Sequence, residues 1–331
     1  MAPHPHPAAC CVPVRSATPE GQRLLATATL ETAVDLRDVA CDRRPQGAVA
    51  RRGPGERVRR AEPGPAGPLV LEARRAVHGT GLEVWGPAPT PAEAAECALE
   101  DAIAWIGGRD EAGALDALAA SDGRIARLLA ARGRLRLSRL PRVGEAAGRA
   151  VLGQLVQGVE ARRSAAQLVG ALEAGPTAGG VTPWPTPEAL RRAAEATLRR
   201  CGISGRGVRA LRAAAAEDAR LDAARHEGWD ALDARLRALP GVGAWTSAEM
   251  RLALGDADAV SVGDANLPGL VGHVLAGDRD CDDDGMLALL APFAGQRGRV
   301  VRLIETSVAR GIVRPPRRRA PRAAVSAHRY W

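Results

Sequence analysis

The sequence predicts an α+β protein, mainly α: a small N-terminal antiparallel β-rich unit followed by an all-helical module. Three observations carry this prediction. Period-two apolar alternation is confined to the segment before Thr90, helical spacing dominates after it, and Gly and Pro punctuate the helical runs. The expected organisation is a disordered leader at 1–20, a β-rich unit at 21–88, a helical module at 89–313, and a basic disordered tail at 314–331.

In chain order, the leader is rich in Pro and His and carries no apolar periodicity. The run LLATATLETAVDL at 24–36 alternates and is rich in Thr and Val, as a half-buried strand should be. PLVLEARRAVHGTGLEVWG at 68–86 reads as two strands around a turn, and RRGPGERVRRAEPGPAG before it as a loop or irregular edge. At Thr90 a capping residue and Pro91 open the first helix. Further helices are predicted at 122–132, 143–157, 159–173, 187–200, 206–225, 229–238, 244–254, 265–275, 284–291 and 296–310.

Composition narrows the function. Of 331 residues, 46% are hydrophobic, enough for a sizeable core, but only 2% are aromatic, so Leu, Val and Ala must fill it. All 46 basic side chains are arginine, and the formal net charge is +8. A basic balance favours polyanions, nucleic acid first among them. The six cysteines contain no C-x-x-C spacing, so neither a disulfide framework nor a zinc site is expected. No run of 18 apolar residues predicts a membrane span, and the leader lacks the pattern of a signal peptide, so a cytoplasmic protein is expected.

The most informative segment is WDALDARLRALPGVGAWTSAEMRLALGDADAVSVGDANLPGLVGHVL at 229–275. Helical spacing leads to Leu239, the turn Pro240-Gly241-Val242-Gly243 follows, and a second helix starts near Ala244. Such a hairpin at 239–243 exposes unpaired N–H groups at a helix start, an anion site suited to a DNA phosphate. Asp264 follows 21 residues after Gly243 and precedes a helical run from Leu267. Alone, P-G-V-G also suits any helix–helix turn, and an Asp before a helix also suits an N-cap.

LPGVGAWTSAE with DADAVSVGDANLP resembles the helix-hairpin-helix DNA glycosylase superfamily. AVLGQLVQGVEARRSAAQLV at 150–169, PWPTPEALRRA at 183–193 and LRRCGISGRGVRAL at 198–211 resemble the same catalytic module, in the same order. The similarity is strongest to bacterial 3-methyladenine DNA glycosylases of the inducible alkylation-repair type, including divergent actinobacterial relatives, and spans about 140–310. The resemblance implies a monomeric enzyme that everts a damaged base from double-stranded DNA and hydrolyses its N-glycosidic bond. It implies Asp264 as the catalytic carboxylate, and Leu239, Gly241, Val242, Gly243 and Thr246 as DNA contacts of the hairpin. Leu155 takes the place of the inserted wedge, and Trp245, Gln154 and Trp184 are candidates for the base pocket. Trp184 and Trp105 are the weaker candidates, and simple core burial is the favoured reading for both.

Relatives that also cut the strand carry lysine where Trp245 stands, and a chain without lysine forms no side-chain Schiff base there. The expected activity is therefore monofunctional. Only Cys281 lies beyond the aspartate, so no iron–sulfur cluster and no other cofactor is expected; the resemblance allows a monovalent cation on hairpin carbonyls. Two departures favour an alternative, a non-catalytic duplex-binding protein with a degenerate pocket. Ala265 and Asn266 replace an aromatic and a His, and PFAGQRGR at 292–299 lacks aromatic and His character common among relatives. Asp280, Asp282, Asp284 and Gly285 match half an EF-hand loop, but Ala291 stands at position twelve, so a helix start is expected instead of calcium.

Overall fold

The computed structural model describes residues 22–31, 34–39, 49–52, 57–172 and 180–315. The leader expected at 1–20 and most of the tail at 314–331 lie outside the described residues. Five strands, β1 (Arg23–Leu30), β2 (Val49–Arg52), β3 (Arg57–Glu62), β4 (Leu69–Ala76) and β5 (Gly79–Gly86), form one antiparallel sheet in the order β1-β5-β4-β3-β2. Alternation puts Val58, Leu71, Ala73, Leu82 and Val84 on one face. Helix α1 (Ala92–Trp105) covers them with Ala98, Ala102, Ile103 and Trp105. This first helix thus packs with the sheet rather than with the helices that follow it.

The loop expected around RVRRAE is instead strand β3. Its arginines hid it, because four charged residues in six read as surface. Folded, Arg59, Arg60 and Glu62 are buried, Arg57 is half-buried, and all four are paired. Arg59 binds Glu72, its partner on β4, while Arg60 binds Glu62 and Glu145. Buried charges are tolerated only when matched in this way.

Beyond the sheet the chain is helical: α2 (Gly113–Ser121), α3 (Gly123–Arg132), α4 (Val143–Gly153), α5 (Gly158–Leu172), α6 (Pro187–Arg192), α7 (Glu195–Arg200), α8 (Gly205–Ala216), α9 (Asp218–Glu227), α10 (Trp229–Arg237), α11 (Ala244–Leu254), α12 (Leu267–Ala276), α13 (Asp283–Leu290) and α14 (Arg297–Ala309). Helix α2 was not expected from sequence; only Leu115 on it is buried, so its apolar face is nearly invisible. The helix predicted at 187–200 is two, broken where the Arg212 side chain takes the Ala193 carbonyl. The helix predicted at 206–225 likewise divides at Glu217. The helix predicted at 143–157 stops at Gly153, where Gln154 N–H turns back to the Val151 carbonyl.

The helices make two lobes. In one, α4 threads through two apolar clusters: Val143, Ala146 and Ala150 pack with Leu221, Leu232, Leu236 and Met250, while Val151 and Leu152 pack with Leu168, Leu190 and Leu211. In the other, Ile125 and Leu128 of α3 pack with Leu267, Val271, Met286, Leu290, Leu303 and Ile304. The segment between Leu254 and Leu267 joins the lobes, and the start of α14 is seated on it. Arg299 N–H donates to Ala257 O at 2.9 Å, and Asp258 receives Arg297 N–H and guanidinium. A Cβ on Gly298 would lie 2.4 Å from Ala259 O, so only glycine allows this approach. No helix among the described residues is long and apolar enough to cross a membrane.

Candidate active site

The site is built where the two lobes meet. The hairpin lies at its edge. Leu239 and Val242 turn their side chains into the core, and Val242 N–H closes the turn on Leu239 O at 3.1 Å. The two glycines serve different needs. Gly241 has φ +82°, a left-handed conformation that side chains resist. Gly243 is exposed, and a Cβ there would meet nothing within 4 Å. Gly243 precedes α11 without a side-chain cap, leaving the first N–H groups of that helix open to an approaching anion. Arg206 of α8 lies against Gly241, where a Cβ would be 3.8 Å from its side chain, and Arg206 and Arg209 are both exposed on that helix.

Gln154 ties the hairpin to the α4–α5 loop. Its Nε2 donates to Gly241 O and to Thr246 Oγ1, both at 2.8 Å, so its amide braces the turn. Thr246 is buried and acts through that bond. Next to Gln154 stands Leu155, with φ +58° and 97% of its surface exposed. Among the described residues no other side-chain-bearing residue has positive φ. A large apolar side chain in a strained conformation, projected into solvent, has no packing reason to be there.

Trp245 crosses from this loop to Asp264. A Cβ on Gly153 would lie 3.2 Å from the far edge of the Trp245 ring, so α4 ends against it. At the other edge, Nε1 donates to Asp264 Oδ2 at 3.0 Å. The second oxygen, Oδ1, accepts Asn266 N–H at 2.7 Å and Leu267 N–H at 2.9 Å. Both readings of Asp264 therefore meet in one group: it caps α12 with one oxygen and is aimed by an indole with the other. The turn before it is held as well, since Asp283 accepts Gly263 N–H with both oxygens at 3.1 Å and Gly263 has φ +87°.

The structure thus joins Leu155, Gln154, the hairpin, Trp245 and Asp264 in one continuous set of contacts. Trp184 is not part of it. Only 3% of its surface is exposed, and it packs beneath α4 against Gly148 with the Arg149 guanidinium 5.0 Å from the ring centroid. That is a core position rather than a pocket wall, and Trp105 is buried too, under the sheet. Asp282 caps α13 by accepting Gly285 N–H at 2.9 Å, as a helix-start acid should. Among the described residues no group of three or more His, Cys, Asp or Glu is arranged to hold a metal. The hairpin carbonyls of Leu239 and Gly241 accept Val242 N–H and Gln154 Nε2 respectively.

Sequence reasoning missed the rest of the wall. Glu249 is one helical turn beyond Trp245 on α11, so the i,i+4 spacing could have found it. Nothing in the sequence pointed to Arg302 and Glu305 on α14, nor to Asp283. Ser261 Oγ donates to Glu249 Oε1, Arg302 Nη2 donates to Glu249 Oε2 at 3.4 Å, and Arg302 Nη1 to Glu305 Oε2 at 2.7 Å. Burial pushes the Glu305 carboxyl up; Arg302 opposes this, and Glu249 and Asp264 push the same way. With 37% of its side chain still open, Glu305 faces solvent rather than the core.

No protein-family model matches the chain, and no curated protein is similar to it in sequence. Solved structures are similar in fold. The 3-methyladenine DNA glycosylase from Archaeoglobus fulgidus superposes with a TM-score of 0.74 at 18% identity, covering 86% of this chain and 98% of that one. The Clostridium acetobutylicum 8-oxoguanine glycosylase/lyase, in complex with double-stranded DNA, gives 0.64 at 12% identity, covering 85% and 93%. The Schizosaccharomyces pombe 3-methyladenine DNA glycosylase, in complex with abasic DNA, gives 0.50 at 22% identity, covering 59% and 96%. With the hairpin, the α4–α5 loop and the inter-lobe segment carrying Asp264 in place, the chain has the helix-hairpin-helix DNA glycosylase fold.

Proposed function

We propose that the protein is a monofunctional DNA glycosylase that excises alkylated purines from duplex DNA. The observation that carries this reading is the carboxylate of Asp264, fixed by three N–H donors beside the hairpin and the projecting Leu155. Cleavage of an N-glycosidic bond builds positive charge on the deoxyribose. A pinned carboxylate stabilises that charge without reorganising, and it orients or deprotonates the attacking water. Alkylation at purine N3 or N7 leaves the base cationic, a good leaving group that needs no strong acid.

The other parts serve eversion. The N–H groups opening α11, with Arg206 and Arg209, suit sequence-independent phosphate contacts. Leu155 would fill the stack when the base leaves it, offsetting an unstacking cost of about a few kcal/mol. Trp245 stands at the position of the lyase lysine, and its indole aims Asp264 instead of attacking the sugar.

The test is base release from duplexes carrying single 3-methyladenine, 7-methylguanine, hypoxanthine or 8-oxoguanine. Wild type is expected to release alkylated purine and leave an intact abasic strand. Asp264→Asn keeps a side-chain oxygen for the α12 cap but is expected to lose release by about a thousandfold, a typical cost of removing a main electrostatic group. Duplex affinity should persist. Full activity in that variant removes Asp264 from the chemistry. Duplex binding without release of any lesion leaves a non-catalytic DNA-binding protein.

A further inference from the structure

The surface beside Asp264 has the wrong sign for its protein. The chain carries a formal +8, yet the groups described at this site are four acids, Asp264, Asp283, Glu249 and Glu305, against one base, Arg302. They are one assembly. Ser261, which holds Glu249, also accepts Asp264 N–H with its carbonyl at 3.3 Å. Glu249 shares a helix face with Trp245, the residue that aims Asp264. All three outer groups are accessible, with 28%, 32% and 37% of the side chains of Glu249, Arg302 and Glu305 exposed. Acidic groups exposed next to a phosphate grip oppose DNA binding. An arrangement in which one arginine faces several acids favours a further positively charged partner.

Resting on the glycosylase reading above, we propose that Glu249 and Glu305, held apart by Arg302, are specificity residues that select a cationic purine over a neutral one. A base alkylated at N3 or N7 is cationic, and its ring and amine N–H groups donate hydrogen bonds that carboxylates accept. Trp245 supplies a single aromatic edge in a chain poor in aromatics, so charge takes over recognition that stacking would otherwise carry. The like charges crowding Glu305 are relieved when a cation docks, which ties the assembly's stability to the charge of the base.

The test measures binding apart from chemistry. Duplexes carry one 7-methylguanine, one hypoxanthine or no lesion, each with a 2′-fluoro sugar to block cleavage, and anisotropy is read at one fixed salt concentration. Wild type is expected to prefer the cationic lesion over the neutral one by about tenfold, the size of one or two charge contacts between partly solvated groups. In Glu305→Gln and in Glu249→Gln the ratio should fall towards one, with affinity for undamaged duplex unchanged or raised. No preference in wild type overturns the proposal. So does a preference kept by both variants, or an equal loss on all three duplexes, or a loss confined to hypoxanthine, which would make Glu305 a proton donor. Base release from the same lesions with ordinary sugars is a separate readout. Its absence beside an intact preference defeats the glycosylase assignment but not the recognition of a cation.

Discussion

Leu155 shows how much one residue can say when its conformation and exposure disagree with its chemistry. A leucine at φ +58° bears about 1–2 kcal/mol of backbone strain, and at 97% exposure it recovers none of this through burial. Gln154, bonded to Gly241 and Thr246, holds the preceding residue in place, so the loop cannot relax without releasing the hairpin. Leu155→Gly should therefore leave stability within about 1 kcal/mol of wild type, relief of strain offsetting the greater freedom of the unfolded chain. Single-turnover base release should fall by about tenfold or more, the cost of roughly 1.4 kcal/mol in eversion. Denaturant melts and rapid-quench kinetics on the same preparation check both halves. A marked loss of stability would mean that Leu155 packs after all. The motif around Leu155 was legible in sequence; its strain was not, because no residue type announces a left-handed leucine.

Single elements show which local rules held. Helix α3 starts at Asp122, whose carboxylate accepts Arg124 and Ile125 N–H and pairs with the Arg124 guanidinium. The Arg124 side chain, with these N–H donors, holds the Asp122 carboxyl down to about 2. Because the folded value lies below the ordinary 3.8, the cap's contribution is full above 3.8 and is lost as pH falls through about 2. Asp122→Ala should cost about 1 kcal/mol at neutral pH, and the gap from wild type should close between these two values. Urea unfolding across that acid range measures it; a gap independent of pH would show that the carboxylate is not the cap. The sequence placed this helix at 122–132, and α11 at 244–254, because caps and apolar spacing are local signals. It fused α6 with α7 and α8 with α9 because no Gly or Pro marks those breaks. The Ala193 carbonyl is instead taken by an arginine from another helix.

For the molecule as a whole, charge pairing does the work that aromatic packing does elsewhere. Glu145 on α4 meets Arg60 from β3 and Arg149 from its own helix, and all of its side chain is buried. Burial alone would raise the Glu145 carboxyl; Arg60 and Arg149 hold it below the ordinary range. Arg60 also reaches Glu62, which binds Arg142 at the start of α4. Elsewhere Asp110 binds Arg299 of α14 in a buried pair, and Asp38 binds Arg132 and Arg310. These bonds brace the sheet on the helical lobes that carry the site. Glu145→Ala leaves the Arg60 charge buried with one partner fewer, and should cost about 3–5 kcal/mol. Equilibrium unfolding reads this loss. A loss below about 1 kcal/mol, the range of surface pairs, would show that the sheet docks by apolar contact alone.

By itself the sequence determined the α+β class and the hairpin turn, which are written in contiguous residues whose spacing and turn chemistry act locally. The candidate carboxylate and the loop carrying Leu155 came from the resemblance of ordered motifs to the helix-hairpin-helix glycosylases. Tertiary structure alone decided that an arginine-rich run becomes strand β3, that Trp245 aims Asp264, and that Glu249, Arg302 and Glu305 join in one network. The physical reason is that the energy of a charge depends on what lies within a few ångströms of it. Those neighbours come from distant parts of the chain, so pattern and propensity are silent about them.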